Sequence, residues 1–260
     1  MPERSPSDAR SIAGRVAVVT GAGSGMGRAT ALLMAAEGAF VAATDVAGAT
    51  AEATAAEARA QGGRCGAWEL DVGSAEQIAD VVASVVAAEG RIDILVNNAG
   101  VSIPTAIDGD DFDAAWDTTM TVNLRAQARM VRAVLGHLRR SDAARIINVA
   151  STEGLGATPY LSPYTASKHG VIGLTRALAV ELGASGITVN CVCPGPIRTG
   201  MTAAIPDAAK DTFARRRVPV RRYGHPEEVA HAILSLALPA MSFVNGAVLV
   251  VDGGLTAKQG

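Results

Sequence analysis

Apolar residues in this chain fall into short blocks separated by longer helix-forming stretches. The blocks lie at 16–20, 40–44, 64–70, 92–97, 145–150, 187–193 and 247–251. Short apolar runs of this kind suit strands covered on both faces. Helical stretches are predicted near 25–37, 49–61, 74–89, 111–139, 163–183 and 226–238. Strand and helix alternate, which predicts an α/β, doubly wound parallel sheet with right-handed crossovers. The segment 195–222 breaks the alternation. It is rich in Pro, Gly, Ala and Arg, and predicts a short helical flap after the sixth strand. Residues 1–13 are polar and proline-bearing and predict a mobile tail, leaving one domain over 14–260.

Ligands of open α/β sheets bind beyond the carboxyl ends of the strands. Gly21, Asp45, Asn97, Ser151 and Pro194 all fall at such ends, so one cleft can gather them. After the first strand comes Gly21-Ala22-Gly23-Ser24-Gly25-Met26-Gly27, then a helix former that stops at Gly38. Strand, glycine turn and helix is the context in which a dinucleotide is held. Glycines let the backbone approach a pyrophosphate, and the helix N-terminus offers it free N–H groups. A glycine-rich turn with no ligand is the alternative.

Tyr164 and Lys168 stand four residues apart, with Ser151 thirteen upstream. On a helix, positions i and i+4 share a face. A free tyrosine titrates near about 10, and a cation held beside it favours the phenolate. The pair is a proton-transfer device, with the serine hydroxyl available to hold a substrate oxygen. The bare spacing also fits an amphipathic tyrosine beside a solvated lysine.

These motifs join others in sequence order: Asp71-Val72, Asn97-Asn98-Ala99-Gly100, Asn123, Pro194-Gly195 and Val251-Asp252-Gly253-Gly254. Together they resemble the short-chain dehydrogenase/reductase family over residues 14 to 257. The resemblance implies a single-domain Rossmann-type fold and reversible hydride transfer between NAD and an alcohol or ketone substrate. Tyr164 would be the general acid/base. Lys168 would lower its pKa and hold the nicotinamide ribose, Ser151 would bind the substrate oxygen, and Asn123 would hold a water that relays protons to Lys168. Gly21, Ser24, Gly25, Met26 and Gly27 would cradle the dinucleotide, with Asp71 and Val72 beside the adenine. Asn98, Ala99 and Gly100 would lie along the cofactor. Pro194, Gly195, Ile197 and Thr199 would border the nicotinamide. Relatives commonly form tetramers through the long helices and the C-terminal segment, so a homo-oligomer is expected. Read without the resemblance, Asn123 is a mid-helix asparagine bonding locally and Asp71 a strand-end or capping aspartate.

Asp45 lies eighteen residues after Gly27. A carboxylate there accepts hydrogen bonds from the adenosine ribose and repels a 2′-phosphate. Position 24, where NADP-using relatives often carry a base, is Ser24. Both predict NAD, although Arg28 lies just beyond the turn. A helix N-cap is the alternative for Asp45.

Composition narrows the remaining choices. Hydrophobic residues make up 49% of the 260 and aromatics only 3%, so Ala, Val and Gly must fill the core. A net charge of −2 gives no electrostatic case for nucleic acid. No apolar run has the length a membrane helix needs, and none resembles a signal peptide, which predicts a cytoplasmic protein. Cys65, Cys191 and Cys193 form neither a disulfide framework nor a zinc pattern; the last two alternate on one side of a strand and are expected in the core. The four histidines show no ligand spacing, and no metal is expected. Tyr160 is expected to line the pocket. Glu153 either meets a polyol or cationic substrate or is a solvated loop acid. Arg215, Arg216, Arg217, Arg221 and Arg222 either meet an anionic substrate or form a solvent or subunit face. The leading function is an NAD-dependent secondary-alcohol dehydrogenase. A 3-oxoacyl-thioester (acyl-carrier-protein) reductase and a non-catalytic dinucleotide-binding sensor or scaffold are the alternatives.

Overall fold

The computed structural model of the chain describes residues 5–258. Seven strands form one sheet: β1 (Val16–Thr20), β2 (Phe40–Asp45), β3 (Arg64–Glu69), β4 (Ile94–Asn97), β5 (Arg145–Val149), β6 (Thr188–Pro194) and β7 (Val248–Val251). Their order is β3-β2-β1-β4-β5-β6-β7, and every neighbouring pair is parallel. The direction of winding reverses between β1 and β4, which opens a crevice beyond their carboxyl ends. The predicted strands all form, with ends displaced by at most two residues.

The helices are α1 (Pro6–Ala9), α2 (Gly25–Ala36), α3 (Gly48–Ala60), α4 (Ala75–Glu89), α5 (Phe112–Met120), α6 (Ala126–Leu138), α7 (Ser162–Leu182), α8 (Asp207–Arg217) and α9 (Pro226–Ala237). Residues from α2, α3 and α9 form a buried cluster on one sheet face, and residues from α4, α6 and α7 form one on the other. Ala17, Ala31, Ala35, Ala43, Ala55 and Ala58 belong to the first cluster, so small side chains do let helices lie close on the sheet.

Three features depart from the pattern read along the chain. The long helix expected near 111–139 is interrupted by a π-helical turn at Thr121–Arg125. Such turns insert a residue into the ladder and redirect side chains. The flap contains a full helix, α8. Within the expected tail, residues 1–4 lie outside the described residues, while Pro6–Ala9 is helical and Ile12 is 1% exposed, packed in the first core cluster.

Candidate active site

A cavity of about 450 Å³ opens at the β1–α2 turn and ends at Tyr164 and Lys168. The turn is shaped by glycine. Gly21 has φ +65°, and a Cβ on Gly27 would lie 2.0 Å from the Gly21 carbonyl oxygen. Helix α2 can therefore begin hard against β1 only with glycine there. Its N-cap, Ser24, makes no side-chain capping bond, so the first N–H groups of α2 face the cavity without a side-chain partner. Asn98 Nδ2 donates to the carbonyls of Thr20 and Gly21, at 2.9 and 3.1 Å, and its Oδ1 is buried without a partner. Uncapped N–H groups and close-packed glycines fit a pyrophosphate.

At the other end, helix α7 carries Tyr164 in its first turn and Lys168 one turn later. Both are buried, and Lys168 Nζ lies 5.4 Å from the Tyr164 ring centroid. The ammonium donates to the Val149 carbonyl at 3.0 Å. Burial lowers the Lys168 pKa to about 8, against a smaller raising influence from Cys191 and Cys193. The Tyr164 phenol was expected to be lowered by Lys168. It is raised instead: burial is the largest influence, the Ser151 side-chain hydrogen bond opposes it, and the Glu153 charge adds to it. Desolvation of the phenolate outweighs what its neighbours return.

Asn123 sits in the π turn, buried. Its Oδ1 accepts from the Val101 N–H at 2.8 Å, and its Nδ2 donates to the Val101 carbonyl at 2.9 Å and to Ser167 Oγ at 3.1 Å. It bonds across the fold, not locally, and ties the loop after β4 to α7. A Cβ on Gly100 would lie 3.2 Å from Asn123 Oδ1 and 3.6 Å from Lys168 Nζ, so Gly100, Asn123 and Lys168 are neighbours.

Known proteins share this chain's sequence pattern and fold. A family model described as Enoyl-(Acyl carrier protein) reductase matches residues 21–256. The chain belongs to the short-chain dehydrogenase/reductase family. It is 40% identical over 247 residues to 3-oxoacyl-[acyl-carrier-protein] reductase FabG of Thermotoga maritima, covering 94% of this chain and 98% of that one. It is 42% identical over 247 residues to cis-4-hydroxycyclohexanecarboxylate dehydrogenase of Sinomonas cyclohexanicum, covering 95% and 98%. A solved structure of a candidate NAD(P)-dependent gluconate 5-dehydrogenase from Beutenbergia cavernae, with NADP bound at low occupancy, superposes with a TM-score of 0.90 at 37% identity. That match covers 96% of this chain and 100% of the other. This short-chain dehydrogenase/reductase is thus an oxidoreductase of alcohol and ketone substrates that uses a nicotinamide dinucleotide.

Most of the cofactor residues named from sequence do line the cavity. Gly21, Ser24, Gly25 and Met26 form its floor, Asp45, Asp71 and Val72 one end, and Asn98, Ala99 and Gly100 a wall. Thr199 arches over the turn, its Cγ2 at 3.2 Å from where a Gly25 Cβ would be. Gly27, Pro194, Gly195, Ser151 and Asn123 are not on the lining, and Ile197 lines a different cavity with Pro196 and Asp252. Gly195 packs against Asp252, 2.6 Å from its Cβ were a side chain present. Asn97 is structural, donating to Asn148 Oδ1 at 2.9 Å within the sheet. Sequence reasoning missed Val46, Leu70, Val101, Val122, Val149 and Ala150 as lining residues, while Gly200 and Met201 of the flap segment line it too. Most of these adjoin a named motif or a strand end, which was the available signal.

Other expectations need correcting. Asp45 does not cap α3, whose N-cap is Ala47; its carboxylate accepts from the Gly23 and Ala47 N–H groups at 2.9 and 3.0 Å. Asp71 accepts from the Gly73 N–H at 2.8 Å in a tight turn after β3. Arg28 pairs with Glu57 and lines a surface groove that adjoins the cavity through Gly25, Thr199 and Gly200 but is not on the cavity lining itself. Tyr160, with φ 66°, lines another surface groove beside Ile107 instead of this pocket. Glu153 is no free loop acid, since the hydroxyls of Thr158 and Thr165 donate to it at 2.6 and 2.9 Å. Cys191 and Cys193 are buried, their sulfurs 3.9 Å apart. Among the described residues no helix is long and apolar enough to cross a membrane, and no three metal-ligating side chains converge.

Proposed function

We propose that this enzyme is an NAD-preferring dehydrogenase that interconverts a secondary alcohol and its ketone. The observation that carries the reading is that Tyr164 and Lys168 line one cavity with the glycine turn, with the Ser151 hydroxyl hydrogen-bonded to Tyr164. A bound nicotinamide supplies the acceptor or donor of hydride. The chain supplies the rest. The Tyr164 hydroxyl takes the alcohol proton in oxidation and returns it in reduction. Ser151 donates to the substrate oxygen and stabilises charge developing there. Lys168 is the cation that favours the phenolate during the reaction, and it holds the nicotinamide ribose. Asn123 keeps the loop after β4 and α7 in register around Lys168, and its remaining acceptor capacity is available to a relaying water.

The preference for NAD rests on Asp45. Its carboxylate lines the adenosine end, where a 2′-phosphate would meet like charge, and Arg28 is engaged by Glu57 and is not on the cavity lining. A second reading, reduction of a 3-oxoacyl thioester, is favoured by the likeness to the Thermotoga maritima reductase. Self-association belongs to the same proposal. Val180, Phe243 and Leu249 are exposed near the unpaired edge of β7, and a second copy in a homotetramer would cover them. Three free thiols suit a reducing cytoplasm.

The test follows reduced cofactor at saturating NAD and, separately, NADP, with secondary alcohols, diols, sugars and hydroxyacyl thioesters, and with Tyr164→Phe alongside. NAD-linked alcohol turnover that collapses in the variant supports the reading. NADP-linked turnover confined to the thioester supports the second one. Turnover that survives Tyr164→Phe refutes the assigned acid/base.

A further inference from the structure

Three loops surround the catalytic end of the cavity, those following β4, β5 and β6, and these strands are consecutive neighbours in the sheet. We infer that the substrate is an uncharged secondary alcohol on a hydrocarbon body, aliphatic or alicyclic, and not a polyol, sugar or hydroxy acid. The inference rests on the reading of Ser151, Tyr164 and Lys168 as the reacting end.

Charge is distributed unevenly along the cavity. Its lining holds three ionic side chains: Asp45 and Asp71 at the adenosine end, and Lys168 behind Tyr164. Beside Lys168 and Asn123 the lining is carbon, from Val101, Val149 and Ala150, and Met201 lines the same cavity. The loops after β4, β5 and β6 carry further apolar side chains open to water. Leu155 is 44% exposed, Met201 53% and Ile205 40%, while Val101 and Ile103 are half-buried. Large aliphatic side chains held open to water at a cavity mouth gain from being covered by an apolar body.

The polar groups of these loops are mostly engaged with one another. Glu153 is held by Thr158 and Thr165. Thr202 Oγ1 donates to the Ile197 carbonyl at 2.9 Å and accepts from the Thr199 N–H at 3.1 Å. Thr105 donates to Asp111 at 2.7 Å. Two flap cations have acids of their own: Arg198 lies 3.1 Å from Asp207, and both Arg222 nitrogens lie 2.7 Å from Glu228, while Arg215, Arg216, Arg217 and Arg221 are not on the cavity lining. A polyol docked here would place hydroxyls against carbon and against groups that already have partners, losing water bonds without replacement. A carboxylate would meet no guanidinium on the lining.

The experiment measures kcat/KM with saturating NAD for 2-butanol, 2-hexanol, 2-octanol and cyclohexanol. Threitol, gluconate and 3-hydroxybutyrate are run in parallel. The expected result is a climb of about fourfold per added methylene, the rate equivalent of burying one CH₂. Cyclohexanol is expected to exceed threitol and gluconate at least about tenfold. Met201→Ser and Ile205→Ser should each flatten the climb. A flat series, or preference for threitol, gluconate or 3-hydroxybutyrate, overturns the inference. If that preferred turnover is lost in Tyr164→Phe, the acid/base reading stands while the substrate class falls. Turnover that persists in Tyr164→Phe overturns the acid/base reading whatever the substrate order. Turnover of none overturns both.

Discussion

Two ions are buried at opposite ends of the same sheet, and their surroundings treat them differently. Asp93, 0% exposed, precedes β4 at the amino ends of the strands. Its carboxylate accepts from Val16 N at 3.0 Å, from Arg91 Nε and Nη2 at 2.8 and 2.6 Å, and from Ser141 Oγ at 2.5 Å, with Arg15 at 3.7 Å. Lys168, 3% exposed, lies at the carboxyl ends and donates to the Val149 carbonyl, with no carboxylate in salt-bridge range among the described residues. The first ion is saturated by hydrogen bonds and ties three segments together. The second is held in a desolvated place that depresses its pKa to about 8. A saturated ion holds a fold together, whereas an under-partnered one is kept for chemistry at a cost in stability.

The largest effect expected from breaking this contrast is on turnover. Lys168→Met should lower kcat/KM about a thousandfold, as loss of a proton-transfer partner does. The same variant should be more stable than the parent at pH 7. Lys168 falls from its ordinary 10.5 to about 8, which corresponds to roughly 3 kcal/mol at low pH. A lysine with a depressed folded pKa binds fewer protons folded than unfolded between pH 8 and 10.5. Parent stability therefore climbs with pH through that window, and the full penalty is present below it. The variant's advantage, read as Tm by calorimetry without cofactor, should be several degrees at pH 7 and shrink towards pH 10.5. An advantage independent of pH would mean that Lys168 is not the penalised group.

Asp93→Asn is the reverse experiment. It leaves Arg91 and Arg15 facing a neutral amide and should destabilise the protein by about 3–5 kcal/mol in urea unfolding. The folded fraction should keep kcat within about threefold, because the residue stands at the opposite end of the strands from the cavity. A Tm unchanged from the parent would show that the network contributes little and would remove half of the contrast.

Which of these features could be read from the sequence follows from how local each one is. The glycine turn, the Tyr164–Lys168 spacing and the strand–helix alternation are set by neighbours in the chain, and they appear where expected. Asn123 was legible as a residue but not as a clamp, because its partner Val101 is twenty-two positions away and a π turn aims it. The Val149 carbonyl beneath Lys168 and the side of Tyr160 depend on how α7 docks on β5, which no local pattern encodes. The upward shift of Tyr164 was missed for the same reason. Spacing reports that a cation is near, whereas burial is a property of the packed domain. Ile12 looked like tail because its neighbours are polar, yet it is buried in the first core cluster, which also holds Met34 and Leu236.

Asp45 falls between the two buried ions, and the smallest effect belongs to it. It is half-buried, and its two oxygens accept from Gly23 and Ala47 N–H groups on either side of the cofactor turn. Replacing it with alanine removes two charge-assisted bonds to backbone that solvent can partly replace, so Tm should fall by no more than a few degrees. Cofactor choice should move further than stability. Without the carboxylate, the ribose hydroxyls lose an acceptor and a 2′-phosphate loses a like charge, each worth about tenfold. The ratio of kcat/KM for NAD over NADP should therefore fall about a hundredfold in Asp45→Ala, measured with whichever alcohol gives turnover. An unchanged ratio would show that the carboxylate serves the turn, like Asp93 serves its network, and not the cofactor. A collapsed ratio with an unchanged Tm would place it with Lys168, among the ions this sheet holds at its carboxyl edge for binding and catalysis.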